Sequence, residues 1–234
     1  MVMNSLMLQV DNLTKKFGEL EALSNLTFEV KKQECLGIIG PNGAGKTTLF
    51  NILSGFMKPT SGNVKFNGSD IIGKKPYELV KLGLTRTFQV IRVFKNISVL
   101  DNFSVINEKS EELLRDLGLW EKRDILAKDL PQGDLRKLNI GMALATNPKL
   151  LLLDEPFSGL SPKEGAELSE LIEELKKKNI TMIIIEHKLR ELFGLVQNVI
   201  VLNYGRLIFG GNPEEVIRDE KVINVYLGVG YEVT

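Results

Sequence analysis

Eight consecutive residues, Gly40-Pro41-Asn42-Gly43-Ala44-Gly45-Lys46-Thr47, set glycines, a lysine and a hydroxyl at the spacing G-x-x-x-x-G-K-[ST]. The chemistry open to such a run is the holding of polyphosphate. Glycines without a Cβ let successive backbone N–H groups curl around phosphate oxygens. Lys46 can reach the β and γ phosphates, and the Thr47 hydroxyl is a hard oxygen ligand for Mg²⁺. A glycine turn next to a surface lysine would look similar in isolation. Here an apolar strand (residues 36–39) runs into the loop and an apolar helix (residues 47–54) leaves it. That is the context the motif requires, and the helix adds its positive end to the phosphate site.

A second candidate is Leu150-Leu151-Leu152-Leu153-Asp154-Glu155, an apolar strand that ends in two carboxylates. Ligand sites of parallel sheets lie beyond the carboxyl ends of their strands. Asp154 is therefore expected to hold Mg²⁺, mainly through its water, and Glu155 to orient and polarise an attacking water. A solvated strand end is the plainer reading, and the upstream phosphate loop weighs against it. His187 is the only histidine and follows another apolar strand, in Ile185-Glu186-His187. A lone histidine after a strand is ordinarily a surface or core residue. If its strand lies beside that of Asp154, the imidazole faces the γ phosphate instead.

These groups need a scaffold. Residues 6–30 alternate apolar and polar (Leu8, Val10; Leu26, Phe28, Val30) around Lys15-Lys16-Phe17-Gly18, which predicts antiparallel strands and turns. Another short strand is expected near residues 64–66. Residues 76–145 read as mostly helical, with Leu113, Leu114 and Leu117 on one face of a helix over 111–119 and Gly118 as its stop. Ser161-Pro162-Lys163-Glu164 opens a further helix with a capping box. Its apolar stripe is Leu168, Leu171, Ile172 and Leu175, and Lys176 to Lys178 sit where the helix dipole favours cations. Residues 180–185 predict a buried strand, and residues 199–209 a hairpin turning at Tyr204-Gly205. Alternating strands and helices with continuous apolar strands imply an α/β fold, a parallel sheet covered on both faces, with a helical subdomain inserted.

Composition narrows the function classes. The 234 residues suit one large domain. Lys plus Arg and Asp plus Glu both number 30, so the net charge is zero and gives no electrostatic case for nucleic acid. One cysteine, Cys35, excludes a disulfide within the chain and suits a reducing compartment. The apolar start, residues 1–10, lacks the basic region and cleavage site of a signal peptide. No apolar run approaches the roughly 20 residues that span a bilayer. A membrane role is expected only through a partner.

Taken together, these motifs resemble the ABC transporter ATPase family over nearly the whole chain. The resemblance makes residues 40–47 the Walker A loop, with Thr48 next to it, and Leu150 to Glu155 the Walker B strand with its catalytic glutamate. It makes His187 the switch histidine and Phe17 the aromatic that stacks on adenine. Gln89, in Arg86-Thr87-Phe88-Gln89, becomes the glutamine that touches Mg²⁺ and the attacking water and links the site to the membrane partner. The implied cofactors are ATP and Mg²⁺, with Thr47, Gln89 and Asp154 on the metal and Lys46, Gln89, Glu155 and His187 catalytic. The implied fold is a P-loop NTPase core spanning residues 1–234. It has a mixed central sheet with helices on both faces, an N-terminal antiparallel β subdomain, and an inserted α-helical subdomain at about residues 88–146.

The sequence is most similar to the branched-chain amino acid importer type. That likeness rests on Arg86-Thr87-Phe88-Gln89, on Val93-Phe94-Lys95-Asn96-Ile97-Ser98-Val99-Leu100-Asp101-Asn102, on Ile185-Glu186-His187 and on Val225-Tyr226-Leu227-Gly228. Urea-type importers and lipopolysaccharide exporters share parts of the pattern. ABC proteins of DNA repair or translation usually carry a coiled-coil insertion or two cassettes, and neither is present. The family's signature loop, Leu-Ser-Gly-Gly-Gln, corresponds here to Leu130-Pro131-Gln132-Gly133-Asp134, of which Leu130 and Gly133 match. In the family this loop holds the γ phosphate bound to the other subunit. Pro131 brings neither hydroxyl nor N–H, and the Asp134 carboxylate is expected to oppose an incoming phosphate. A nucleotide-binding regulator with little hydrolysis is the corresponding alternative. Ser161 stands where the D-loop usually has Asp, and the stretch between Asn102 and Leu130 is short for the subfamily.

The resemblance implies transmembrane permease subunits as partners, an extracytoplasmic solute-binding protein indirectly, and a second ATPase subunit. A different chain is favoured for that subunit, with a homodimer as the alternative. The implied location is the cytoplasmic face of the membrane. Val90, Ile91, Val93 and Phe94 are expected to line part of a groove for a permease helix.

Overall fold

Two sheets carry the molecule in the computed structural model, which describes residues 6–106 and 111–227. Residues 1–5 of the apolar start, residues 107–110 of the short stretch and the closing Gly228 lie outside the described residues. In chain order the elements begin with β1 (Leu6–Phe17), β2 (Leu20–Lys31), β3 (Cys35–Ile39), α1 (Lys46–Leu53), β4 (Ser61–Phe66), β5 (Ser69–Asp70), α2 (Pro76–Leu82) and β6 (Leu84–Arg86). The helical stretch follows as α3 (Val99–Ser104), α4 (Glu111–Asp116) and α5 (Gln132–Leu144). The chain then runs through β7 (Leu150–Asp154), α6 (Pro162–Lys177), β8 (Thr181–Ile185), α7 (Leu189–Phe193), β9 (Asn198–Asn203), β10 (Arg206–Gly211), α8 (Pro213–Arg218) and α9 (Glu220–Leu227).

The first sheet is antiparallel, in the order β2-β1-β4-β5. The second is mixed, in the order β10-β9-β3-β8-β7-β6, with β10 antiparallel and the rest parallel. Its strands are apolar on both faces because both faces are covered. Along β7, Leu151 and Leu153 join one core and Leu150 and Leu152 the other; along β8, Met182 and Ile184 are divided from Ile183 and Ile185 in the same way. The first core packs under α5, α6 and α7, and the second lies between the two sheets and around α1.

The mostly helical reading of residues 76–145 needs correction. Residues 84–86 form the edge strand β6, paired in parallel with β7, and residues 87–98 hold no helix. Three residues are too few to register a strand period, and it is the neighbour β7 that draws Leu84 and Thr85 into the sheet. The helix opened by Ser161 has the expected capping box, Pro162 in its first turn and Leu168, Leu171, Ile172 and Leu175 buried. Strand order places the site: β7, β8 and β3 are adjacent and parallel, so the loops after all three leave the same edge.

Candidate functional site

The loop after β3 can be built only with glycine at two close approaches. A Cβ on Gly40 would lie 2.2 Å from the Leu202 carbonyl oxygen, and one on Gly45, at φ +104°, would lie 2.6 Å from that of Ala22. Both carbonyls belong to neighbouring backbone that cannot yield. Lys46 opens α1 and is buried, its Nζ donating to the carbonyls of Gly40 at 2.6 Å and Pro41 at 3.0 Å. Burial lowers its pKa, while Glu155 and Asp154 nearby push the other way. Phe17, Asn42, Lys46, Thr47, Thr48, Glu155 and His187 line one cavity of about 310 Å³ together with Gly43, Ala44 and Gly45.

Glu155 follows β7 with φ +47°, and its amide donates to the Ile185 carbonyl at 2.9 Å. From this turned backbone its carboxylate meets two partners. Gln89 Nε2 donates to Oε2 at 2.7 Å, and His187 Nε2 lies 3.1 Å from Oε1. The histidine strand does lie beside the acid strand, β8 pairing with β7 in parallel. Asp154 is buried, and its Oδ2 accepts from Arg86 Nη2 at 2.7 Å. Thr47 and Asp154 offer hard oxygens, the donor type Mg²⁺ takes. Among the described residues no three His, Cys, Asp or Glu side chains cluster as a metal cage.

Three further residues hold this arrangement, of which Arg86 and Glu186 stand in the sequence motifs without a role and Arg136 stands outside them. Arg86 holds Asp154. Glu186, 2% exposed, accepts N–H groups from Phe157 at 2.7 Å, His187 at 2.8 Å and Lys188 at 3.2 Å, so it ties the loop after β7 to the loop after β8. Burial raises its pKa, and these donors offset part of that rise. Arg136 of α5 donates to the carbonyls of Gln89 at 3.1 Å and Ser158 at 3.0 Å. The spacing of Ile185-Glu186-His187 beside an acid pair was the one available signal for Glu186.

The loop Leu130 to Asp134 does not join the cavity. Leu130 is buried, Pro131 and Gln132 are exposed, and Gly133 donates its N–H to Glu164 Oε1 at 2.8 Å. The Asp134 carboxylate, expected to oppose an incoming phosphate, is ion-paired with Lys122. Val90 and Phe94 are exposed, as a groove-lining role would need, whereas Val93 packs against the core. Among the described residues no helix is long and apolar enough to cross a membrane.

Comparison with known proteins gives consistent findings. The ABC transporter family model matches residues 23–158, and a model for the branched-chain amino acid ATP-binding cassette transporter matches residues 206–232. The LivG high-affinity branched-chain amino acid transport ATP-binding protein of Escherichia coli is 36% identical, over 97% of this chain and 99% of its own. The BraF protein of Pseudomonas aeruginosa, of the same description, is 33% identical over 94% and 97%. A nucleotide-free ATP-binding cassette from an ABC transporter superposes with a TM-score of 0.88 at 35% identity, covering 95% of this chain and 99% of that one. A dimeric cassette bound to ADP and phosphate gives 0.77 at 25% identity, covering 88% and 99%.

Proposed function

This chain belongs to the ABC transporter family of ATP-binding cassettes, and from that premise we propose that it hydrolyses ATP to drive a branched-chain amino acid importer. The observation that carries the reading is Glu155, held between Gln89 and His187 at the rim of the phosphate-loop cavity. Phosphoryl transfer to water asks for positioning and charge neutralisation more than for covalent chemistry. Lys46, now held by two loop carbonyls, turns to the β and γ phosphates, and the loop N–H groups take the remaining oxygens. Phe17 takes the adenine. Glu155 accepts a hydrogen bond from the attacking water, Gln89 orients that water, and His187 faces the γ phosphate. Thr47, Asp154 and Gln89 would hold Mg²⁺, which when bound would supply neutralisation of the charge that develops on the phosphates.

The importer assignment rests on the LivG and BraF relatives and on the terminal match at residues 206–232. The dimeric relative supports a pair of ATPase subunits. In that pair two nucleotides lie sandwiched head to tail, and each subunit completes the other's site with its signature loop. With Pro131 and an occupied Gly133 amide, this chain is better suited to pair with a different ATPase than with itself. The pair acts at the cytoplasmic face of the membrane on permease subunits, which a solute-binding protein feeds from the other side. Val90 and Phe94, 76% and 53% exposed, form part of the docking surface for a permease helix.

The test is co-purification with the neighbouring ATPase and permeases, reconstitution in vesicles, and ATP-dependent leucine uptake. Cysteines placed at Val90 and Phe94 should crosslink to the permease. The native Cys35 stays silent, since burial pushes its thiol up to about 12. Hydrolysis without leucine uptake would reject the importer assignment, and no crosslink at either position would reject the docking surface.

A further inference from the structure

The Arg86 guanidinium sits between two elements that the catalytic reading above needs at a fixed separation. Its Nη2 donates to Asp154 Oδ2 at 2.7 Å, at the end of β7. Its Nη1 donates to Asn51 Oδ1 at 2.7 Å and to Ser54 Oγ at 3.1 Å, both on α1 or its cap. Thr47, Asn51 and Ser54 follow one another at i, i+4 and i+7, so they share one face of that helix. One planar group therefore fastens the Thr47 face of α1 to the Asp154 carboxylate. The arrangement is buried: the Arg86 side chain is 5% exposed and that of Asp154 8%. The Phe50 and Phe88 rings flank the guanidinium, with centroids 5.4 and 4.9 Å from its central carbon. Among the described residues Oδ2 is the one Asp154 carboxylate oxygen that is hydrogen-bonded, which leaves Oδ1 to other ligands.

We propose that Arg86 is a positioning residue for the metal–nucleotide complex, fixing Asp154 relative to Thr47 so that the two can share one ion. The proposal rests on the assignment of those two residues to Mg²⁺ made above. Its chemical basis is the fork of the guanidinium. Two nitrogens reach two elements at once, and the charge offsets the buried carboxylate until an ion arrives. Lysine could neutralise Asp154 but has one nitrogen and could not also hold Asn51 and Ser54 in the same plane. Partners of this kind, which orient metal ligands without touching the metal, typically change metal affinity by about 10- to 100-fold when replaced.

The experiment uses the full chain with Mn²⁺ as the probe. Mn²⁺ affinity at saturating ATP is read by electron paramagnetic resonance, and ATP affinity in EDTA by calorimetry. Arg86→Lys should weaken Mn²⁺ binding by about 10-fold or more and leave ATP affinity in EDTA unchanged. Arg86→Met removes the counter-charge of a buried acid and threatens folding, so it is made together with Asp154→Asn. That double variant should bind Mn²⁺ no more weakly than Asp154→Asn alone, because Arg86 acts through Asp154. A further loss in the double variant would overturn the proposal. So would parental Mn²⁺ affinity in Arg86→Lys, or a parallel fall of both affinities with melting temperature, which marks a structural role. If Asp154→Asn itself leaves Mn²⁺ binding intact, the metal assignment fails first and the proposal falls with it.

Discussion

The loop after β3 and the loop that opens α5 both present backbone N–H groups at a helix start, yet they end in opposite states. At the first, the loops after three parallel strands, together with Phe17, Leu20 and Ala22 of β1 and β2, wall a cavity on which the polar groups converge. Glu155 is supported from both sides by groups that can also meet a water. At the second, the chain satisfies itself. The Gly133 N–H goes to Glu164, Pro131 has none to give, and Asp134 is closed by Lys122. A helix start must place its N–H groups somewhere, and an internal carboxylate is a good substitute for a phosphate. Anion-binding geometry thus stays available to a ligand where the chain's own acids do not take the N–H groups of the helix start. The two regions are nonetheless joined, since Arg136 runs from α5 to the carbonyls of Gln89 and Ser158.

The comparison breaks most sharply at Glu155. Glu155→Gln keeps the shape and the contact to Gln89 but loses the carboxylate that polarises water. Hydrolysis should fall by about 10²- to 10⁴-fold while ATP binding persists, measured by phosphate release and nucleotide titration. A parental rate would remove Glu155 from the chemistry. Lys46→Ala comes next. It deletes charge-assisted contacts to two phosphates, for a loss of about 3 kcal/mol, or more than a hundredfold in ATP affinity. Unchanged affinity would end the reading of the first loop.

On the other side, Pro131→Ser, Gln132→Gly and Asp134→Gln together should restore donors and raise turnover of the chain alone, by about tenfold. Asp134→Gln should contribute least of the three, because its charge is already answered by Lys122. Pairing with an ATPase that carries an intact signature should raise turnover without these changes. Rapid hydrolysis by the unmodified chain alone, with no gain on restoration, would erase the contrast between the two regions.

What was legible in the sequence was what is local. The phosphate loop, the acid pair and the Ser161 capping box each lie within a few residues, where spacing encodes geometry directly. The pairing of β8 with β7 entered the sequence reading only as a condition on the strand before His187, and the structure meets that condition. Contacts across long separations were not legible. Arg86 and Asp154 stand 68 residues apart, and nothing in Arg-Thr-Phe-Gln announces an ion pair. Glu164 was readable as a helix cap and fills that role, but its second bond, to Gly133, spans 31 residues and depends on how α5 meets α6. Strand β6 escaped because it is only three residues long and takes its pairing from β7.

The smallest effect belongs to Phe17, an exposed member of the first region. Its ring ends β1 and is 46% exposed, with Lys15 Nζ 5.0 Å from its centroid. An adenine stacked there would cover one face of a ring whose other face is met by the Lys15 ammonium. Phe17→Ala should therefore cost about 1 kcal/mol, the low end of the base-stacking range. Because every base has a π face, ATP and GTP should weaken alike, and Phe17→Trp should hold both. Inorganic tripolyphosphate separates the contributions. It lacks a base, so Phe17→Ala should leave its affinity unchanged, whereas Lys46→Ala should weaken it as much as ATP. Equal losses of tripolyphosphate and ATP in Phe17→Ala would mean that the ring shapes the phosphate loop and does not receive the base.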